Sequence, residues 1–371
     1  MHGKCRPVSK GTRVSIIGNI AVIALAACAW AANAVADSGE CFGPWGSPTN
    51  LNDPTLSTCN PNDLKTCVNS AFFDQHPAIS PNGLSLYITS TRPGGLGLSD
   101  IWVSNRTSLS TPWGSPQNLG SNINTDRSEY APNISPDGHW LLFTRGPYYP
   151  GQPNRPPAPS EIWVSYREDV NNDSGWEPAV PLGGEINDSA YDANAPRLFV
   201  DEGRGIVSIY FNSYLRPGSA DYDEYVSNIP LNGGLDLYYS SFPVGDTVSK
   251  LNSPYRDTPT AIRSDGLEMF ITSQRAGGLG AGDLWVSTRG STLADERSWS
   301  WPVNMNDYAL NEHGNACSGE PTLGCLNTSY NEGAPALSRD GTTLYFFSDR
   351  PGGAGQRDLY VSIRPRVCDD D

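Results

Sequence analysis

Five acids recur just ahead of a strand-like run in five similar stretches: Asp74, Glu129, Asp192, Asp257 and Glu332. Carboxylates gathered at one mouth suit two kinds of chemistry. They hold a cation, or two of them with different pKa values flank a glycosidic bond as acid and base. A plainer role is open as well, in which each acid bonds backbone amides of a neighbouring repeat. Recurrence in every stretch points to the plainer role, because a catalytic pair should break the pattern. His76 does break it, standing before a strand proline where the other stretches have Ala131, Ala195, Thr258 and Ala334. An imidazole beside Asp74 can ligate, serve as a general base or plug a narrow channel. The catalytic candidates are His76, Glu129 and Asp192. The binding candidates are Asp74, His76, Glu129, Asp192, Asp257 and Glu332.

Other side chains are weaker candidates. Arg92, Arg275 and Arg350 each precede a glycine-containing loop and an aspartate (Asp100, Asp283, Asp358). Exposed guanidinium groups recognise sugar acids, but the repetition suits an internal Arg–Asp brace across each hairpin. Asp169 to Gly175 resembles a calcium loop, with its glycine one position late and no glutamate at the twelfth position. Asp221 and Asp223 are a further weak metal site. No phosphate loop, zinc motif or Gly-x-Ser-x-Gly appears, so no cofactor is expected to be required, with a divalent cation such as calcium kept open.

These residues are spaced by a repeat. Ala334 to Ser362 reads as three short strands, with turns at Asp340-Gly341 and at Arg350-Pro-Gly-Gly. Copies begin at Pro77, Pro132, Pro196 and Pro259. In the third, degenerate copy the strands read Pro196–Asp201, Ile209–Ser213 and Asp236–Ser240. A fourth piece follows the units, at Trp113, at Trp176, at Trp301 and, weakly, around Val248. The fifth unit has none after it, whereas Trp45 to Asn52 stands alone before the first. One unit cannot bury both faces, so the copies must pack on one another. The sequence predicts an all-β, five-bladed β-propeller with four-stranded blades, closed by the N-terminal strand joining the last blade. The Asp-Gly turns are short and uniform, so their face reads as structural. Long second-to-third loops, Gly146–Ser160 and Leu215–Leu235, fall on the opposite face, where function is expected.

Residues 1–36 read as an export signal, with Lys4, Arg6, Lys10 and Arg13 before an apolar core and Ala34-Val-Ala36 as a cleavage site. Leu25-Ala-Ala-Cys28 offers a rival lipid anchor at Cys28. Residues 37–371 form the single propeller domain, without a transmembrane span, and are expected in the periplasm, on the outer membrane or secreted. The net charge is −15, and the leader carries four basic residues and no acids, so the body carries −19. Such a surface repels nucleic acid and anionic membranes. The six cysteines of the body suggest disulfides. Proximity pairs Cys59 with Cys67 and Cys317 with Cys325, leaving Cys41 with Cys368 to lock the seam.

The turn Ser135-Pro-Asp-Gly138 and its relatives, with the Arg-Pro-Gly-Gly…Asp-Leu-Tyr-Val-Ser run, resemble the WD40-like repeat of TolB-type propellers of the bacterial envelope. The resemblance covers nearly the whole mature chain, although the separate N-terminal domain of TolB is absent. It implies a module that binds a partner protein of the envelope, or a glycan, on the loop-rich face. The alternative is a carbohydrate-active enzyme, a glycoside hydrolase or lyase, with its site at the channel mouth.

Overall fold

The computed structural model describes residues 42–146, 159–214, 216, 221–231, 234–293, 296–308 and 325–367. Strand β1 (Thr49–Asn50) comes first. Blade I holds β2 (Asp74–Ile79), β3 (Ser85–Ser90), β4 (Asp100–Asn105) and β5 (Gln117–Asn118). Blade II holds β6 (Glu129–Ile134), β7 (Trp140–Arg145), β8 (Glu161–Tyr166) and β9 (Val180–Pro181). Blade III holds β10 (Asn194–Asp201), β11 (Ile206–Ser213), β12 (Asp223–Pro230) and β13 (Asp246–Thr247). Blade IV holds β14 (Asp257–Ile262), β15 (Glu268–Ser273), β16 (Asp283–Thr288) and β17 (Val303–Asn304). Blade V holds β18 (Glu332–Leu337), β19 (Thr343–Ser348) and β20 (Asp358–Ile363), with β1 as its outer strand. Thr49 lies opposite Val361 and Asn50 opposite Tyr360. The chain ends therefore seal the ring, as the lone Trp45 segment implied.

The second strands explain why the ring is needed. All six residues of β3 and of β7 are buried, because a neighbouring blade covers each face and leaves no polar side. The apolar clusters lie between blades. One of them spans the closure, joining Leu51, Leu86 and Trp102 to Tyr345, Leu359 and Val361.

Several polar braces repeat around the ring. In each linker an asparagine holds both backbone groups of one third-strand residue. Asn124 does so for Ile101, Asn187 for Ile162, Asn252 for Glu224 and Asn327 for Leu284. Asn69 does it for Leu359, across the seam. A second brace stacks an arginine on the ring that precedes the outer strand: Arg106 on Trp113, Arg167 on Trp176, Arg289 on Trp299 and Arg364 on Trp45, with centroids 4.3–4.5 Å away. Cation–π contact and burial both favour this pairing.

The structure corrects several details of the repeat. In blade IV the stacked ring is Trp299, fully buried, while Trp301 is 67% exposed. In blade III the third strand is β12, not Asp236–Ser240, and its outer strand is β13, preceded by buried Phe242. Residue 231 and residues 234–245 thus belong to the connection from the third strand to the fourth, on the face of the Asp-Gly turns. The Cys59–Cys67 disulfide is formed. Cys325 is disulfide-bonded, whereas Cys41, Cys317 and Cys368 lie outside the described residues, as do the leader and Cys28. Among the described residues no helix is long and apolar enough to cross a membrane.

Candidate functional site at the channel mouth

The first residue of each inner strand is placed by one bond to the preceding blade. The amide of Asp74 donates to Arg357 O, that of Glu129 to Ser99 O, that of Asp257 to Tyr222 O and that of Glu332 to Gly282 O, at 2.8–3.0 Å. In blade III the same bond is made by Ala193, to Ser160 O at 2.9 Å. Ala193 is therefore the true fifth member of the ring, and Asp192 stands one residue out of register.

The four in-register acids are scaffold. Asp74, Glu129, Asp257 and Glu332 are 0% exposed. Each pairs with an arginine at the end of the second strand or two residues past it: Arg92 (2.7 Å), Arg145 (2.8 Å), Arg275 (2.6 Å) and Arg350 (3.3 Å). Each also accepts the backbone amide and the hydroxyl of a serine or threonine four residues earlier: Ser70, Thr125, Ser253 and Thr328. Burial pushes the Glu129 carboxyl up and the Arg145 guanidinium down. Desolvation thus outweighs the attraction, as in many buried ion pairs. Glu129 is consequently no accessible catalytic group, and the ring of binding carboxylates does not form.

Arg92, Arg275 and Arg350 serve these pairs rather than bracing Asp100, Asp283 and Asp358. Those aspartates accept the amides of the second-to-third turn, at Gly97, Gly280 and Gly355. The turn demands its two glycines. Gly94, Gly277 and Gly352 take φ of +95° to +99°. A Cβ on Gly95, Gly278 or Gly353 would sit 1.6–2.2 Å from the aspartate oxygen. Burial raises Asp283 and Asp358 to about 6.

The candidate cation sites are used otherwise. Asp173 bonds Ser85, Tyr87 and Arg167 and so fastens blade II to blade I. Asp221 accepts the amide of Tyr222, and Asp223 opens β12 opposite Ser213. Among the described residues no three His, Cys, Asp or Glu side chains are placed to hold a metal ion.

Where the repeat does break, side chains meet at the channel. The second inner-strand position carries Gln75, Tyr130, Asn194, Thr258 and Gly333, and the residue opening each third strand's approach is Ser99, Ser160, Tyr222, Gly282 or Arg357. The mouth can be followed residue by residue. His76 lies 5.9 Å from the ring of Tyr130 and 6.4 Å from that of Phe347. Tyr130 Oη donates to Asn194 Oδ1 at 2.5 Å. Asp192 accepts the Ser160 amide at 2.7 Å and faces Tyr222 Oη at 3.5 Å. Arg256 stacks on Tyr222 at 4.5 Å. Arg357 stacks on Phe347 at 4.6 Å and donates to Gln75 Oε1 at 2.5 Å. Of the predicted residues, His76 and Asp192 come together here. Tyr130, Tyr222, Arg256 and Arg357 were missed, although their marker was in the sequence as variable positions inside a constant frame.

His76 occupies a special backbone position. It has φ +48°, and Ala131, Ala195 and Ala334 share it at +48° to +51°. Each of these alanines donates its amide to a threonine of the preceding blade: Thr89, Thr144 and Thr272. Phe347 stands at the corresponding place before His76. Burial, then the charges of Arg197, Arg357 and Arg256, lower the imidazole to about 3. It is neutral in ordinary solutions, which rules it out as a proton donor. Its Nδ1 is sealed and makes no hydrogen bond. Burial keeps the phenols of Tyr130 and Tyr222 protonated.

Arg197 lies below, in the channel wall, bonded to Pro196 O at 2.7 Å. Burial lowers it to about 10, so it stays cationic. On the turn side of Arg197 opens a cavity of about 640 Å³, walled by Ile134, Leu198, Ile262 and Leu337 and rimmed by Asp137 and Asp265.

No family model and no curated protein matches the sequence. Solved structures share the fold over most of the chain. An α-L-arabinofuranosidase of Podospora anserina, in complex with cellotriose, is 11% identical, with 88% of this chain and 98% of that one covered and a TM-score of 0.50. An α-L-arabinofuranosidase of Lactobacillus brevis is 12% identical, covering 81% and 92%, with a TM-score of 0.51. A family 117 glycoside hydrolase of Zobellia galactanivorans is 13% identical, covering 88% and 93%, with a TM-score of 0.50. The solved structures that match this five-bladed propeller are glycoside hydrolases, not TolB-type repeat proteins, and this counts against the expectation of a module that only binds a partner protein or a glycan.

Proposed function

We propose that the protein is a carbohydrate-active enzyme that cleaves glycosidic bonds at the channel mouth. One observation carries the reading: Asp192 is displaced from the braced ring, keeps part of its surface, and sits against Tyr222 among residues that break the repeat. A carboxylate in this setting is the group from which an acid–base or nucleophilic role is drawn. Tyr130 gives its phenol proton to Asn194 Oδ1 and offers its oxygen as an acceptor for a sugar hydroxyl, whereas Tyr222, whose bond to Asp192 is long at 3.5 Å, has a proton to turn toward a sugar or leaving oxygen. Neutral His76 supplies a further polar edge without carrying a proton to be given away. The exposed face of Tyr214, whose other face stacks on Tyr222 at 5.1 Å, suits the apolar face of a pyranose or furanose ring. A cation such as calcium is not assigned a place in this chemistry. The basic leader at residues 1–36 and the Cys59–Cys67 disulfide support an exported protein that meets its glycan outside the cytoplasm.

The test is incubation of the purified protein with a panel of neutral and acidic plant, algal and bacterial glycans. New chain ends are expected from at least one class. No cleavage anywhere on a broad panel, by protein shown to be folded, would overturn the reading.

A further inference from the structure

Most scaffold arginines are tied down within the blades. Arg92, Arg145, Arg275 and Arg350 pair with the inner-strand acids, Arg263 and Arg364 with Glu268 and Arg167 with Asp173, while Arg106 and Arg216 donate to backbone carbonyls. Arg256 and Arg357 stand at the channel mouth instead. Among the described residues neither is within ion-pairing distance of a carboxylate, and both are held by aromatic faces at the mouth. Asp349 acts on Arg357 only at longer range, its own carboxylate accepting the Asn331 amide at 2.8 Å. Arg197 adds a third cation beneath them. Arg357 stacks on Phe347, whose ring lies 6.4 Å from that of His76, Arg197 is on the inner strand of blade III, and the charges of all three arginines bear on the imidazole, which places them around the same stretch of channel. A protein body of charge −19 thus concentrates positive charge where its repeat breaks.

Stacking on Phe347 and Tyr222 fixes the planes of the two outer guanidinium groups; Arg357 gives one N–H to Gln75 Oε1, and the remaining donors are left for a ligand. Such a fork matches the oxygens of a carboxylate or sulfate. We infer that the mouth takes a glycan carrying negative charge, a uronate or a sulfated sugar, and that Arg256 and Arg357 hold its anionic group above Arg197. The inference rests on the glycan-cleaving reading for its reaction but not for its binding. The side of the ring formed by Asp192 and Tyr222 then faces the bond to be broken, while the arginines fix the register of the charged sugar.

The experiment is calorimetric titration of the full mature chain with trigalacturonate, with a sulfated oligosaccharide of similar length and with neutral xylotriose. The same ligands are titrated into Arg256→Gln and Arg357→Gln, whose folding is checked by circular dichroism. One anionic ligand should bind at least tenfold more tightly than xylotriose, and which of the two does so identifies the anion. Each substitution should weaken that ligand about 10- to 100-fold and leave xylotriose unchanged. Equal binding of charged and neutral ligands, or unaltered anion binding by both folded variants, overturns the inference. Cleavage of neutral glycans with anionic ones ignored also overturns it and leaves the enzymatic reading intact. Anion binding lost in the variants, without cleavage of any glycan, supports it and removes the enzymatic reading instead.

Discussion

Replacing Glu129 by alanine should unfold the propeller more readily without touching its chemistry. The carboxylate accepts Arg145 Nε at 2.8 Å and the Thr125 hydroxyl at 2.5 Å through one oxygen, and the Thr125 amide at 2.9 Å through the other. Alanine removes all three. Arg145 then keeps its bond to Ile123 O at 2.8 Å and its stack on Trp163 at 3.8 Å, but its charge is buried without a counter-ion. Losing one partner of a buried pair costs about 3–5 kcal/mol. An unsatisfied buried amide adds about 1–3 kcal/mol, reduced where water enters. Blade III shows how such an arginine is held without a braced acid: Arg216 follows β11 in the same blade as Ala193 and donates to Ser213, Val244 O and Ile186 O instead. Arg145 has fewer such supports. The expectation is a loss of about 4 kcal/mol, measured as a lowered urea midpoint at unchanged slope. Glu129→Leu combined with Arg145→Met should recover most of it, because a packed apolar pair replaces a desolvated ionic one at little net cost. A single variant that loses under about 1 kcal/mol, or a double variant no better than the single, refutes the assignment of the acids as scaffold.

Two further outcomes follow from the braces. Asn69→Ala removes both bonds to the Leu359 backbone at the seam; a loss of about 2–3 kcal/mol is expected, with faster proteolysis near β1 than in the corresponding Asn124→Ala, and equal proteolysis would count against the seam as the weak point. Stability should also fall as the pH rises from about 4 to 6. Asp283 and Asp358 have folded values of about 6 against 3.8, so the folded state holds their protons longer; their contribution is full below the lower value and lost above the higher. Melting temperature against pH in calorimetry reads this, and Asp283→Asn with Asp358→Asn should flatten the slope, whereas an unchanged slope contradicts the burial argument.

The architecture was legible because a ring of identical units repeats its local signals. Asp-Gly turns, Arg-Pro-Gly-Gly and the lone Trp45 segment each carry a backbone requirement, and the closure of blade V by β1 followed from them. Blade III was misread because its third strand, Asp223–Pro230, carries Glu224 where the other blades carry Ile101, Ile162, Leu284 and Leu359. That glutamate is fully buried and its carboxyl is raised well above the ordinary range, first by desolvation. Its charge disguised a core position, and Asp236–Ser240 imitated the missing motif. The acid ring was misread by a single residue. Asp192 and Ala193 are adjacent, and only the backbone bond from Ala193 to Ser160 O separates scaffold from site. The arginines posed a different problem. Whether a guanidinium is a brace or a binding group depends on which carboxylate it reaches across the blade, and the distance of 18 residues from Arg92 to Asp74 or from Arg275 to Asp257 is invisible to a local motif.

The most direct test of the account compares glycan cleavage by the native chain and by Asp192→Asn. Asparagine keeps an acceptor for the Ser160 amide, so the urea midpoint should hardly move. Turnover should drop about 10²- to 10⁴-fold, the range for loss of a positioned acid or base. Full turnover by a folded Asp192→Asn protein would contradict the assignment of the channel mouth as the place where the bond is broken.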